Sequence, residues 1–210
     1  KGNGELHLFK SEYAWEKTFS HFNEVRVLER KVLQPFMKKC GWFGGKAKVI
    51  SKIGFNQVIP LKVGGEGHFL TIVEVQYVQR LPEYYFLPIC FVPSDTMFDR
   101  AEYTAQSVLC RAEVQGESGF IIDSSYDRDF RDYLFASMGR EQKLKQEDGV
   151  LEFNQSVYSK LDISRIESKI LKADSSNTAF IYNDKYFFKF YRKIEKEINP
   201  DLEIVRFLSE

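Results

Sequence analysis

The sequence predicts an α+β fold in which an antiparallel sheet with packed helices is followed by a smaller unit rich in strands. Three observations support this prediction. Between positions 49 and 123, long apolar runs alternate with short turn-forming stretches, as expected for consecutive antiparallel strands. Helical spacing of apolar residues appears before and after these runs. A second group of aromatic strands follows a charged stretch over 139–149, so we divide the chain into residues 1–140 and 141–210.

The composition restricts the classes of function. The chain has 210 residues, 43% of them hydrophobic, and a formal net charge of +0. This balance gives no electrostatic signature for a nucleic-acid or anionic-membrane partner, and no apolar run reaches the roughly 20 residues that span a bilayer. Cys40, Cys90 and Cys110 form an odd set without a C-x-x-C motif, which favours free thiols in a reducing, cytoplasmic compartment over disulfides or a zinc site.

The first elements are helices and strands of ordinary pattern. We expect a short helix over 15–21 and a longer one over 25–39, which Pro35 ends or kinks. The drier face of the second apolar run, 69–79, should receive the longer helix. The residues of that face are Thr71, Val73, Val75 and Tyr77. The predicted strands are 49–61, 69–79, 84–92, 107–114 and 119–123.

A glycine-rich stretch over 40–48 ends in lysines and suggests a P-loop at first sight. In a P-loop, the first glycine lies six residues before the lysine, but Cys40 stands at that place before Lys46. Ala47 stands where Ser or Thr should hold magnesium. We therefore expect a tight turn in which Gly44 and Gly45 supply positive φ. Two aromatic residues should anchor this turn to the core, Trp42 and Phe43.

Residues 127–138 predict another helix. Its inner face should carry Phe130, Tyr133, Leu134 and Ser137. Three aspartates stand near its start, where they match the positive end of the helix dipole. We predict no metal site from them: Asp127, Asp129 and Asp132.

The C-terminal stretch over 173–208 predicts a hairpin followed by a helix. Asn183 and Asp184 tolerate positive φ and suit a two-residue turn. That turn would place Thr178 opposite Lys189, on one face of the hairpin and beside a small polar loop over 175–178.

A lysine in an aromatic strand requires a partner or a route to water. For Lys189, a phosphate and a glutamate are candidate partners, and an edge-strand lysine that reaches solvent is the alternative. Asn199 and Pro200 are start signals for the following helix. Glu203 lies in its first turn, where it either complements the dipole or pairs with Lys189.

Four stretches together resemble one family, the maltokinases, which are relatives of the aminoglycoside phosphotransferases and eukaryotic-like kinases. The stretches are WFGGK at 42–46, NTAFIY at 177–182, KYFFKFYRK at 185–193 and NPDLEIVRFL at 199–208. The resemblance implies an antiparallel-sheet cap subdomain with packed helices, followed by a truncated protein-kinase-like N-lobe.

The resemblance also implies a nucleotide site. Lys189 would pair with ATP phosphates, and Glu203 would hold that lysine. A loop of small polar residues would replace the usual glycine-rich loop: Ser175, Ser176, Asn177 and Thr178.

The implied activity is the ATP-dependent phosphorylation of maltose to maltose 1-phosphate, with Mg²⁺ and with a trehalose synthase as a fused or associated partner. Histidine lies at positions 7, 21 and 68, and none is followed two residues later by aspartate. The catalytic aspartate and the magnesium ligands are therefore expected beyond this sequence, and the chain alone is expected to be an inactive part of a longer protein. A non-catalytic module that docks a partner domain is the alternative.

Overall fold

The computed structural model describes residues 6–97, 104–146, 149–155, 160–171 and 177–195. These residues form an α+β fold with mostly antiparallel sheets and few helices, as predicted. The strands are β1 (Leu8–Ser11), β2 (Ile50–Val63), β3 (Glu66–Tyr77), β4 (Arg80–Pro93), β5 (Val108–Val114), β6 (Glu117–Asp123), β7 (Lys143–Gln146), β8 (Gly149–Glu152), β9 (Ser168–Leu171), β10 (Asn177–Tyr182), β11 (Tyr186–Tyr191) and β12 (Lys193–Ile194). The helices are α1 (Phe22–Val27), α2 (Gln34–Lys39), α3 (Ser94–Met97) and α4 (Arg128–Gly139), with 3₁₀ turns at Trp15–Ser20 and Ser124–Tyr126.

The strands form three sheets. The largest has seven strands in the order β1-β5-β6-β4-β3-β2, and β12 pairs with β4 outside this path. A second sheet has the order β11-β10-β9, and β7 pairs with β8. All described pairs are antiparallel except β1 with β5. The five strands predicted from 49 to 123 are confirmed, whereas β1 and β7 were not predicted because each has four residues and carries almost no periodic signal.

Residues 22–39 form one helical stretch, as predicted for 25–39. A π-helical segment, Leu28–Leu33, lies between α1 and α2 and directly precedes Pro35. Proline lacks an N–H and its ring crowds the carbonyl one turn earlier, so a wider turn accommodates it. The stretch packs on the dry face of β3, with Leu28 and Val32 in the same core as Val73. No helix in the described part of the chain is long and apolar enough to cross a membrane.

The glycine-rich turn confirms one expectation and corrects another. Trp42 and Phe43 are buried, as predicted. Positive φ at Gly44 and Gly45 was a wrong prediction, because neither is among the residues with positive φ. Gly45 is needed for space instead: a Cβ there would lie 2.3 Å from the Tyr77 hydroxyl oxygen and 2.4 Å from the Phe43 ring.

The interior contains two main apolar clusters. The first lies between the helical stretch and the large sheet. The second joins α4 to the three-stranded sheet, with Phe135 stacked on Tyr182 at a centroid distance of 4.4 Å. This second cluster draws residues from both sides of position 140. The three cysteines are buried and free, as predicted.

Helix α4 begins where the sequence predicts. The Asp127 side chain accepts a hydrogen bond from the backbone nitrogen of Asp129 at 3.1 Å, which is an N-cap. Of the predicted inner face, Phe130, Leu134 and Ser137 are buried. Arg131 and Phe135 are buried too, and neither was predicted.

A carboxylate at the end of the large sheet connects the glycine-rich turn to the C-terminal strands. Glu83 accepts hydrogen bonds from Tyr77 at 2.5 Å, from Tyr85 at 2.9 Å and from Lys48 at 2.8 Å. The ammonium nitrogen of Lys193, on β12, lies 3.2 Å from the Glu83 Oε1 atom. Burial raises the pKa of the Glu83 carboxyl, but these four donors outweigh burial and lower the pKa to about 2.

We expect Glu83 to make stability pH-dependent in a defined window. Its folded-state pKa of about 2 lies below the ordinary 4.5, so its stabilisation is complete above pH 4.5 and disappears as the pH falls toward 2. Glu83→Gln should lower the free energy of unfolding by about 2 kcal/mol at pH 7, after allowance for solvent screening. Urea titrations at several pH values measure the difference, which should shrink below pH 4.5. A matched Glu152→Gln variant, which removes an exposed pair with Lys143, should change little, and a Glu83 effect that is constant from pH 7 to 2.5 would contradict this account.

Candidate functional site

The hairpin that carries Lys189 has the predicted turn but a different register. Asn183 and Asp184 have φ of 55° and 51°, as predicted. Tyr182 pairs with Tyr186, however, so the connection has one residue more than predicted. Lys189 therefore lies opposite Ala179.

This shift places two predicted site residues on opposite faces of the sheet. Thr178 pairs with Phe190 and shares its face, which packs on the core. Lys189 points the other way, with Phe187 and Tyr191, because strand side chains alternate. The prediction that Thr178 and Lys189 share a face is therefore wrong.

We call the side of the three-stranded sheet that points away from α4 the outer face. Its residues are Lys169, Leu171, Asn177, Ala179, Ile181, Phe187, Lys189 and Tyr191. Phe187 is 66% exposed. The Lys189 ammonium lies 5.0 Å from the centroid of the Tyr191 ring, a cation–π distance. Lys169 pairs with Asp184 at 2.8 Å. The outer face thus combines apolar side chains with the half-buried Lys189, which lies midway along β11, an edge strand of the described sheet.

The remaining predicted site residues divide into two groups. Asn177 begins β10 and lies on the outer face, diagonal to Lys189. Ser175, Ser176 and Glu203 lie outside the described residues, as does the helix predicted from Asn199.

The opposite side of the sheet is held to the large sheet by Arg192, which follows β11. Arg192 is fully buried. Its Nη2 donates to Asp123 Oδ2 at 2.7 Å and to the Ser125 hydroxyl at 2.6 Å. Asp123 is the last residue of β6 and is also buried. A desolvated pair of this kind is retained only when both charges are fully hydrogen-bonded.

Arg192 also contacts a hydroxyl group, two aromatic rings and a backbone nitrogen. Its Nε donates to Thr178 Oγ1 at 2.9 Å, so the hydroxyl predicted to face a phosphate instead contacts the arginine. The guanidinium lies 5.1 Å from the Trp42 ring centroid and 4.9 Å from that of Phe190. Its carbonyl accepts from the Phe86 backbone nitrogen at 2.7 Å, beside the β12–β4 pairing. We call this arrangement of Arg192, Asp123, Ser125 and Thr178 the arginine clamp.

A second buried arginine connects α4 to the same sheet. Arg131 donates from Nε to Ser168 Oγ at 3.2 Å and from Nη1 to the Ser125 carbonyl at 3.1 Å. Ser168 in turn donates to Asp132 at 2.6 Å. Burial raises the pKa of the Asp132 carboxyl. Tyr182 donates to the Arg131 carbonyl at 2.9 Å, so β9 and β10 are both attached to α4.

A third buried polar group lies next to the clamp. His68 Nδ1 is 3.1 Å from Ser124 Oγ, and its Nε2 is 3.7 Å from Asp127 Oδ2. Cys90 lies close by, with the nitrogen, sulfur and oxygen donors all within 4.8 Å of one another. Burial raises the pKa of the Cys90 thiol well above its ordinary value. The Ser124–His68–Asp127 order is that of a hydrolase triad, but Ser124 is fully buried, so its hydroxyl is inaccessible to a substrate.

The sequence analysis missed the arginine clamp and the His68 group. Residues 123–127 are a short polar run between a strand and a helix, and such runs are usually exposed turns. The available signal was the absence of glycine and proline from that run, together with an arginine directly after an aromatic strand. His68 and Cys90 are register partners on neighbouring strands, a relation that only the strand pairing reveals.

A comparison of the chain with models of known protein families found no match.

We expect Arg192→Met to be strongly destabilising. Removing the guanidinium leaves the buried Asp123 carboxylate without its charged partner, which typically costs about 3–5 kcal/mol of the free energy of unfolding. Denaturant titration at pH 7 measures the loss. A matched Lys169→Met variant removes an ion pair of the same sheet that is exposed, so it should leave the midpoint nearly unchanged. Equal midpoints for the two variants would contradict the clamp.

Proposed function

We propose that this chain is the N-terminal part of an ATP-dependent sugar kinase that phosphorylates maltose to maltose 1-phosphate. The observation that carries the proposal is the position of Lys189 on the outer face of β11, the third strand of an antiparallel meander β9–β10–β11. A cytoplasmic location belongs to the proposal, because three buried free thiols suit a reducing compartment.

The order of parts along the meander supports a nucleotide site. Residues 172–176, which contain Ser175 and Ser176, connect β9 to β10. A phosphate-binding loop occupies this place in a kinase-type N-lobe, and the lysine that contacts the phosphates is in the third strand. Asn177, at the start of β10 and on the same face as Lys189, is a further phosphate ligand in this proposal. Thr178 is assigned to the arginine clamp instead.

The outer face has the chemistry that a nucleotide requires. Leu171 and Ile181 lie on it on the neighbouring strands β9 and β10, are half-buried, and are the proposed apolar surface for a base. Lys189 is half-buried, and in this proposal its ammonium is the group that binds the phosphates. Glu203, in the segment that follows, is the proposed partner that holds this ammonium toward phosphate oxygens.

The side of the three-stranded sheet that packs on α4, its inner face, is covered, so it is not the nucleotide side in this proposal. Phe180, Tyr182 and Phe190 on that face are buried against α4 and the end of β2. Arg192 attaches the same strand to Asp123 shortly after Lys189. In this proposal, the side of β11 that packs on α4 and the large sheet is covered, and ATP binds on the other side. The aspartate that orients the sugar hydroxyl and the Mg²⁺ ligands are proposed to come from sequence beyond this chain.

A docking module is the second candidate function. An open groove of about 1390 Å³ runs along β2 and β3 and reaches the β7–β8 hairpin. Its wall includes several apolar side chains: Phe55, Val58, Ile59, Ile72 and Val150. A partner domain such as a trehalose synthase would dock there under this alternative, with the Lys189 hairpin purely structural.

The decisive variant for the kinase proposal is Lys189→Met in the full-length protein that carries this chain. Losing a charge that stabilises the transferring phosphoryl group should lower kcat/KM for phosphate transfer from ATP to maltose by on the order of 100-fold. Phosphorus NMR identifies the product, and a coupled assay gives the rate.

Lys185→Met is the matched control, because Lys185 is an exposed lysine of the same hairpin whose ammonium lies over the Tyr186 ring. It should retain nearly full activity. Equal activity of the two variants would remove Lys189 from the site. Binding of trehalose synthase without any phosphate transfer would instead support the docking module.

A further inference from the structure

We propose that His68, Cys90 and Asp127 form a structural site for a divalent transition metal ion of the zinc class. The three side chains offer a nitrogen, a sulfur and an oxygen donor, all within 4.8 Å of one another and all buried. This donor set is typical of zinc and unlike the all-oxygen sets of magnesium or calcium.

The scaffold holds the three donors from rigid elements. His68 on β3 and Cys90 on β4 are direct register partners, so their side chains leave the sheet on the same face. Asp127 caps the start of α4 above that face. The site thus joins two neighbouring strands to a helix terminus, and no donor lies in a long loop.

The distances suit a shared ion better than a direct hydrogen bond. His68 Nε2 and Asp127 Oδ2 are 3.7 Å apart, beyond the usual 2.7–3.2 Å of a hydrogen bond. Two ligands at roughly 2.0–2.1 Å from a tetrahedral zinc ion would be about 3.3 Å apart. A movement of a few tenths of an ångström therefore brings these two donors to the separation of zinc ligands, and the Cys90 sulfur lies within 4.8 Å of both.

Neighbouring groups orient two of the donors, His68 and Asp127, toward each other. Ser124 Oγ lies 3.1 Å from His68 Nδ1, which assigns Nε2 to the metal side. The His68 ring is also stacked on Phe130, at a centroid distance of 5.6 Å and an interplanar angle of 11°. Asp127 uses Oδ1 for the helix cap and directs Oδ2 toward His68.

The charge balance also favours a cation. Ion binding displaces the proton of the Cys90 thiol, so the site would contain one thiolate and one carboxylate against one divalent ion. These two negative groups compensate the ion in a buried site where single charges are costly. Three protein donors leave the fourth position of a tetrahedral zinc ion to a water molecule, and the ion would be structural because burial of the donors keeps substrates away from that position.

The test is the metal content of the purified chain after incubation with zinc and removal of unbound ion. We expect about one zinc per chain in the unaltered protein. Cys90→Ser should lower the content at least tenfold, whereas Cys110→Ser, which removes another fully buried thiol outside the group, should retain it. After substitution with Co²⁺, a thiolate-to-cobalt absorption band should appear in the unaltered protein and in Cys110→Ser but not in Cys90→Ser.

A chain that retains no stoichiometric zinc or cobalt overturns the proposal, and this result does not depend on any variant. Equal metal content in Cys90→Ser and the unaltered chain also overturns it. Circular dichroism checks that Cys90→Ser is folded. If it is not, His68→Gln replaces it with the same expectation for metal content.

Discussion

The ion pair between Arg192 and Asp123 is the interaction on which the arrangement of the molecule depends. Both charges are removed from water, and both are compensated: Asp123 Oδ1 also accepts from the Ser125 backbone nitrogen at 3.0 Å, and Arg192 donates to Ser125 and Thr178 as well. Such a pair tolerates little displacement, because a shift leaves a buried charge uncompensated. It therefore determines which side of the three-stranded sheet faces the large sheet. Lys189 is on the outer face as a consequence.

Residues 123–127 are the junction at which the polar contacts of the interior meet. This run receives Arg192 through Asp123 and Ser125, and Arg131 through the Ser125 carbonyl. It also supplies two of the side chains around His68. Buried polar networks of this kind favour one arrangement of the surrounding elements over alternatives that apolar packing alone would allow. The junction thus links the large sheet, α4 and β11, the strand that carries Lys189.

The sequence predicted the elements whose information is local. The strands from 49 to 123, the helical stretch around Pro35 and the N-cap at Asp127 all follow from periodicity or capping chemistry. The register of the β10–β11 hairpin was not predictable in the same way, because Asn183 and Asp184 suit positive φ in connections of either length. The pairs between Arg192 and Asp123 and between His68 and Cys90 depend on long-range strand pairing, which a single sequence does not encode visibly.

The proposal that Lys189 binds the phosphates of ATP is tested most directly by labelling with an amine-selective reagent. Protection of Lys189 by ATP is measured by mass spectrometry on the full-length protein. The account predicts that ATP lowers the labelling of Lys189 several-fold and leaves that of Lys185 unchanged, since Lys185 is exposed in the hairpin turn. Labelling of Lys189 that is the same with and without ATP would contradict it.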